Sequence, residues 1–190
     1  MKKNGFTLVE LLATITLLCI TITIVIVKVD KNIKDANDFG NQMQIEGIES
    51  AALIYAEEYR NNLYYIEEKK VDTVSLETLI NQGLLEEKDV KNLDKTNIIV
   101  IAEINNNIKV KYTKVNKNVI FLNGPSEISI YVGDQYKEMG AYVAIPGTGI
   151  IELQNDNITS TINNNTVGEY KVTYSYVNTD SKERIVSVIN

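Results

Sequence analysis

The sequence predicts an α+β chain: a long N-terminal helix, its first half suited to a membrane, packed on a small antiparallel sheet, then a C-terminal all-β sandwich. Three observations lead there. Phe6 to Val27 is a 22-residue stretch whose only charge is Glu10. From Asp30 to about Leu63, apolar residues recur at helical steps. After residue 118 the chain breaks into short apolar runs separated by Gly, Pro, Asn and Asp, the punctuation of strands and turns.

At 1.5 Å per residue, 22 helical residues span about 33 Å, enough for a hydrocarbon core of about 30 Å. Lys2 and Lys3 precede the run, while Lys28, Lys31 and Lys34 beyond it are interleaved with Asp30 and Asp35. This asymmetry favours a cytoplasmic amino terminus. A secretory signal peptide would have a shorter apolar core followed by a small-residue cleavage site. Here the run ends in Val-Lys-Val-Asp, and the small residue, Gly5, lies before it. Glu10 is the anomaly, because a carboxylate at mid-bilayer costs about 2.5–3.5 kcal/mol on insertion scales and less near the interface.

"KKNG" followed by "FTLVELL" resembles the leader and mature start of the type IV prepilin family, which includes the pseudopilins of secretion and competence systems. The resemblance implies cleavage between Gly5 and Phe6 by a prepilin peptidase, with N-methylation of Phe6. It also gives Glu10 a partner. Once Gly5 is removed, Phe6 carries a positive amine, and Glu10 lies about 6 Å further along the helix. In a filament of staggered helices the carboxylate of one subunit meets the amine of its neighbour, which offsets desolvation. The expected division is a leader at 1–5, a transmembrane helix at 6–28, a pilin-like helix and β body at 29–118, and a further domain at 119–190. Many pilins carry a proline within the first helix; the first proline here is Pro125.

The amphipathic half of the helix uses Ile33, Ala36, Met43, Ile48, Ala51, Ala52, Tyr55, Tyr59 and Leu63, with Gly40 and Gly47 each costing about 1 kcal/mol of helix propensity. "VSLETLINQGLL" predicts a short helix with Ser75 as N-cap and Gly83 as its stop. "NIIVIAEI" and "IKVKYTKV" predict a hairpin joined by Asn105, Asn106 and Asn107. Lys109 and Lys111 share a face of its second strand. Such a stripe suits either DNA phosphates or a solvated sheet face.

"VNKN" at 115–118 reads as a polar joint. Beyond it, "VIFLNG", "ISIYVGD", "AYVAI", "GIIEL", "YKVTYSYV" and "RIVSVI" are the expected strands of a sandwich. The order of Gly133, Tyr136, Gly140, Ala141, Gly168 and Tyr170 resembles a bacterial immunoglobulin-like domain of surface proteins over about residues 119–190. Tyr170 is placed like a tyrosine corner, its hydroxyl returning to backbone just upstream.

Composition limits the chemistry. The chain of 190 residues is acidic, with a net charge of −6, so a nucleic-acid partner is not expected. It has no histidine, and its one cysteine, Cys19, lies in the apolar run. The usual nucleophile–base pairs and His/Cys zinc sites therefore cannot be assembled, leaving carboxylate chemistry alone, and the expectation is a protein that is not an enzyme and needs no cofactor. Three functions fit: a pilin subunit displaying an immunoglobulin-like domain, a pseudopilin of a secretion or DNA-uptake machine, and a membrane-tethered surface binding protein that never polymerises. The first two imply prepilin peptidase, other pilin or pseudopilin subunits, an assembly platform and membrane lipid as partners, with a surface ligand for the outer domain. The expected location is the cell membrane, amino terminus inside and C-terminal domains outside. Gly5→Leu is predicted to leave a longer, leader-bearing chain in the membrane; mass measurement showing normal processing would sink the cut-site assignment.

Overall fold

The computed structural model describes residues 40–91 and 93–190. The chain divides into two compact units, 1–44 and 45–190. The apolar run from Phe6 to Val27, and with it the start of the long helix, lies outside the described residues. Among the described residues no helix is long and apolar enough to cross a membrane.

Helix α1 occupies 40–58. Ile48, Ala51, Ala52, Tyr55 and Ala56 are buried on one face, at the three- and four-residue steps that bring side chains together. The α-helix stops five residues short of Leu63; a 3-10 turn at Arg60–Asn62 follows, and Leu63 is buried beyond it. Gly47 lies in open space on the outer side, so no packing need accounts for it.

After the short α2 (Ile66–Lys69) come β1 (Val71–Ser75) and α3 (Leu76–Asn81). The caps of α3 follow the sequence. The Ser75 hydroxyl accepts the Thr78 N–H at 3.0 Å. At the other end Gly83 adopts φ +71°, with Leu84 N–H donating to Leu79 C=O and Gly83 N–H to Ile80 C=O, a Schellman stop. A 3-10 turn at Glu87–Val90 leads on to β2 (Ile98–Ile104) and β3 (Asn107–Thr113). These two form a hairpin in which Ile104 pairs with Asn107. Its turn is only Asn105–Asn106, at φ +52° and +62°; Asn107 already belongs to the strand. Two left-handed residues give a turn whose twist matches the strands, and asparagine tolerates that conformation better than most residues. The sheet order is β1-β2-β3, antiparallel throughout.

Seven strands follow: β4 (Val119–Leu122), β5 (Glu127–Tyr131), β6 (Ala141–Ile145), β7 (Gly149–Glu152), β8 (Ile158–Ser160), β9 (Gly168–Tyr174) and β10 (Lys182–Ile189). They form two sheets, β4-β6-β7 and β5-β10-β9-β8, with β5 parallel to β10. Six of the seven match the apolar runs of the sequence. β8, reading Ile-Thr-Ser, carries too little apolar character to announce itself.

The layers are held by three cores. Ile99 and Ile101 of β2 face α1 and join Ile48, Tyr55, Ile66 and Leu79. Val100, Ala102 and Ile104, pointing the other way, meet Val119, Phe121 and Ala144. Ile120, Leu122 and Val143, on the opposite face of that second sheet, pack with Val172, Tyr174 and Val186 of the third. Period-2 alternation thus sends successive residues of β2 and of β4 into different cores. All four residues of β4 are buried. Phe121→Ala is predicted to destabilise residues 45–190 by about 3 kcal/mol or more. The expected results are a lower urea midpoint and faster proteolysis at the 115–118 joint; unchanged values would mean the contact between these sheets is dispensable.

Candidate functional site

Gly5, Phe6 and Glu10 lie outside the described residues. What the structure describes is the part that such an amino terminus would carry, and how it is fastened together.

The joint is tied on both sides. Asn118 N–H donates to Asn178 C=O at 3.0 Å, and the Asn118 amide donates to Val177 C=O at 3.0 Å. The Asn178 amide returns to Asn116 C=O, and Lys117 pairs with Asp180. Further contacts cross from body to sandwich: Lys69 Nζ donates to Gly147 C=O at 2.8 Å, and Lys109 Nζ to Leu122 C=O at 2.6 Å. Gly149, at φ +140°, lies where an added Cβ would press to 3.2 Å from the Lys69 carbonyl.

The lysine pair is thereby removed from the list of phosphate-binding candidates. Burial pushes the Lys109 amine below its ordinary pKa, and its hydrogen bond is spent on the neighbouring sheet. Lys111 pairs with Glu49 of α1 at 2.9 Å. The same Glu49 carboxylate accepts the Tyr112 N–H at 3.0 Å, capping one outward donor at the edge of β3. Sequence placed both lysines on one face correctly; that face turns toward the sandwich.

Inside the sandwich lies a polar cluster that the sequence reading missed. Arg184 has no solvent exposure, although it is the most basic of side chains. Its Nε donates to Pro125 C=O at 2.9 Å and its Nη2 to Asn123 C=O. Nη1 reaches Glu138 Oε1 at 2.8 Å, the Tyr174 hydroxyl at 2.6 Å and the Tyr136 hydroxyl at 3.2 Å. Both tyrosines donate onward to Glu138, which also accepts the Gly140 N–H at 2.6 Å. The guanidinium lies 5.4 Å from the centre of the Tyr174 ring. Every strong donor and acceptor here has a partner, which makes a buried charge tolerable. The available signal was alternation: Arg184 shares the inward parity of Val186 and Val188. Burial alone would raise the Glu138 pKa, but hydrogen bonds from Tyr174, Tyr136 and Gly140 and the Arg184 charge outweigh it and hold the carboxyl below its usual value. Burial, then the Glu138 hydrogen bond, pushes the Tyr174 hydroxyl well up. This is a structural pin whose donors and acceptors meet one another.

Tyr170 behaves as the corner residue expected: its hydroxyl donates to Thr166 C=O at 3.0 Å. Two hollows accompany the fold. One, about 170 Å³, is lined by Lys111, Asn118, Asp180 and Lys182 beside the joint; the other, about 320 Å³, by Glu77, Ile80, Glu87 and Lys95 over α3. Among the described residues no group of three or more acidic, His or Cys side chains is placed to hold a metal ion.

Two predictions come from the Arg184 cluster. Arg184→Met should destabilise the sandwich by about 3 kcal/mol or more, because the Pro125 and Asn123 carbonyls lose their donor and the half-buried Glu138 its cation; an unchanged unfolding midpoint would refute the pin. Glu138 has a depressed pKa in the folded state, so the stability it contributes is complete above its unfolded value and is lost as pH falls through the folded value. Melting between about pH 6 and pH 3 should therefore fall less steeply in Glu138→Gln than in the parent. Equal slopes would remove Glu138 from the acid response.

Comparison with known proteins bears on both ends of the chain. Residues 1–26 match the prokaryotic N-terminal methylation motif, and residues 120–188 match the Ig-like domain of bacterial surface proteins. No curated protein matches. Among solved structures, a crystallised lipoprotein from Bacteroides thetaiotaomicron is similar at 24% identity, over 37% of this chain and 37% of that one, with a TM-score of 0.31. The chain thus spans little more than a third of that relative. An N-terminal methylation motif and a bacterial surface Ig-like domain are fused in one polypeptide, the make-up of a type IV pilin-like precursor that carries a surface domain.

Proposed function

We propose that the chain is a minor type IV pilin or pseudopilin. It is cleaved after Gly5 by prepilin peptidase, N-methylated on Phe6, and built through its N-terminal helix into a filament that displays the Ig-like domain. The observation that carries this reading is the methylation motif over residues 1–26 joined to a surface domain. A plain anchor needs neither a cut site before its apolar run nor a glutamate within it. Glu10 is the register residue, pairing with the Phe6 amine of an adjacent subunit and thereby escaping an unpaired desolvated charge. The extra domain favours a subunit used sparingly for display over one that forms the bulk of a filament. No catalytic role is proposed, since a sequence without histidine and with its one thiol in the apolar run lacks the usual nucleophile–base pairs.

The deciding measurement is the mass of the amino terminus of protein taken from its native membranes. A chain beginning with methylated Phe6 is expected. An intact Met1–Gly5 leader in cells that hold the peptidase would overturn the proposal and leave a tethered surface protein. Glu10→Ala should be processed normally yet enter filaments poorly; undiminished incorporation, scored by immunogold labelling of sheared filaments, would refute the pairing.

A further inference from the structure

The Ig-like sandwich has used one of its two outer faces on the body, through Val119, Phe121 and Ala144. The outer face of β5-β10-β9-β8 is left, together with the edge at β5. Elsewhere Glu49 accepts one outward N–H of β3, that of Tyr112, and β8 is only three residues long. β7 starts at Gly149, against the body's Lys69.

β5 differs. Its ladder to β10 is continued by Ser126 C=O, accepting from Ile185 N–H, and by Val132 N–H, donating to Ile189 C=O. Even-numbered residues therefore turn their backbone groups to β10, and Glu127, Ser129 and Tyr131 turn theirs outward. The Tyr131 N–H is met by the Asp134 carboxylate at 3.2 Å, at the far end of the strand. Ile128 and Ile130 point toward the sandwich interior yet are only half-buried, so the rim of the core is open beside this strand.

The one charged side chain of β5 is acidic, Glu127. The pairing register sets Glu127 beside Ile185 and Ser129 beside Ser187, with Lys171 and Glu169 one strand further in, all on the outer face. Lys171, further in, is paired with Glu183 at 2.7 Å, so Glu127 is the charge the edge presents, with Asp134 at the strand's end. We infer that β5 receives an extended polypeptide segment that alternates apolar and basic residues and adds to the sheet as a further strand. Its backbone completes the ladder at Glu127 and Ser129. Its apolar side chains cover Ile128 and Ile130, and its basic ones lie over Glu127.

This names a partner class for the displayed domain and so rests on that domain facing outward. The binding test below does not involve filament assembly, so its failure is distinguishable from failure of the pilin reading. The full chain in non-ionic detergent micelles is titrated into a fluorescein-labelled seven-residue peptide of alternating valine and lysine, with empty micelles as blank and a valine–glutamate peptide as comparison. Saturable anisotropy with the lysine peptide is expected, weakening at least tenfold from about 50 mM to about 500 mM salt, because the contacts are exposed. Ser129→Pro, which deletes an outward N–H, should abolish it. Glu127→Lys, a surface change that leaves the fold intact, should weaken the lysine peptide roughly fivefold or more and admit the glutamate peptide. No saturable binding, equal binding of both peptides, or a Glu127→Lys variant indistinguishable from the parent would overturn the inference. Copies of a Ser129→Cys variant that cross-link to each other through that thiol while the peptide fails to bind would overturn it too, assigning the edge to a second copy.

Discussion

The structure depends on a sheet that is apolar on both faces. β4 and β6 send Ile120, Leu122 and Val143 into the sandwich and Val119, Phe121 and Ala144 against the body sheet. A free Ig-like sandwich would turn polar residues outward from both its sheets. Here the second face is given to Val100, Ala102 and Ile104, and β2 is correspondingly buried toward α1 on one side and toward the sandwich on the other. Removing either contact would expose a row of branched side chains to water. The polar joint at 115–118 is thus short because it must be: body and sandwich already touch on both sides of it.

The residues that set the local elements were legible because their chemistry is local. Ser75 caps and Gly83 stops α3 through bonds within a few positions, and two asparagines turn the β2–β3 hairpin by their own conformational tolerance. Tyr170 found its upstream carbonyl for the same reason. Long-range choices were not legible. Nothing near Lys109 in sequence says that a carbonyl of β4 will meet its amine. Glu49 reads as an ordinary helix-surface acid until β3 arrives beside it. Arg184 was half-legible: its parity pointed inward, but hydropathy argued against a charge there, and its partners come from Asn123, Pro125, Tyr136, Glu138 and Tyr174. The sites proposed for processing and assembly, Gly5, Phe6 and Glu10, rest on sequence pattern alone.

The division of labour along the chain follows from these contacts. The methylation motif stands at the amino-terminal end and the surface Ig-like domain at the other. Between them, α1 and the three-stranded sheet make a body whose back is shaped to the sandwich. Lys109 and Lys111 are committed to internal fastening, through Leu122 C=O and Glu49.

Antibody-type sandwiches use a disulfide between their sheets; this one carries the Arg184 cluster instead. It joins β10 to the Asn123–Pro125 segment and to Glu138, using only hydrogen bonds and charge. With Cys19 the one thiol of the chain, nothing in the sandwich can be oxidised closed or reduced open. The outer domain therefore matures without an oxidant or a disulfide isomerase, and its folded state is indifferent to the redox poise of whatever surroundings it is delivered into.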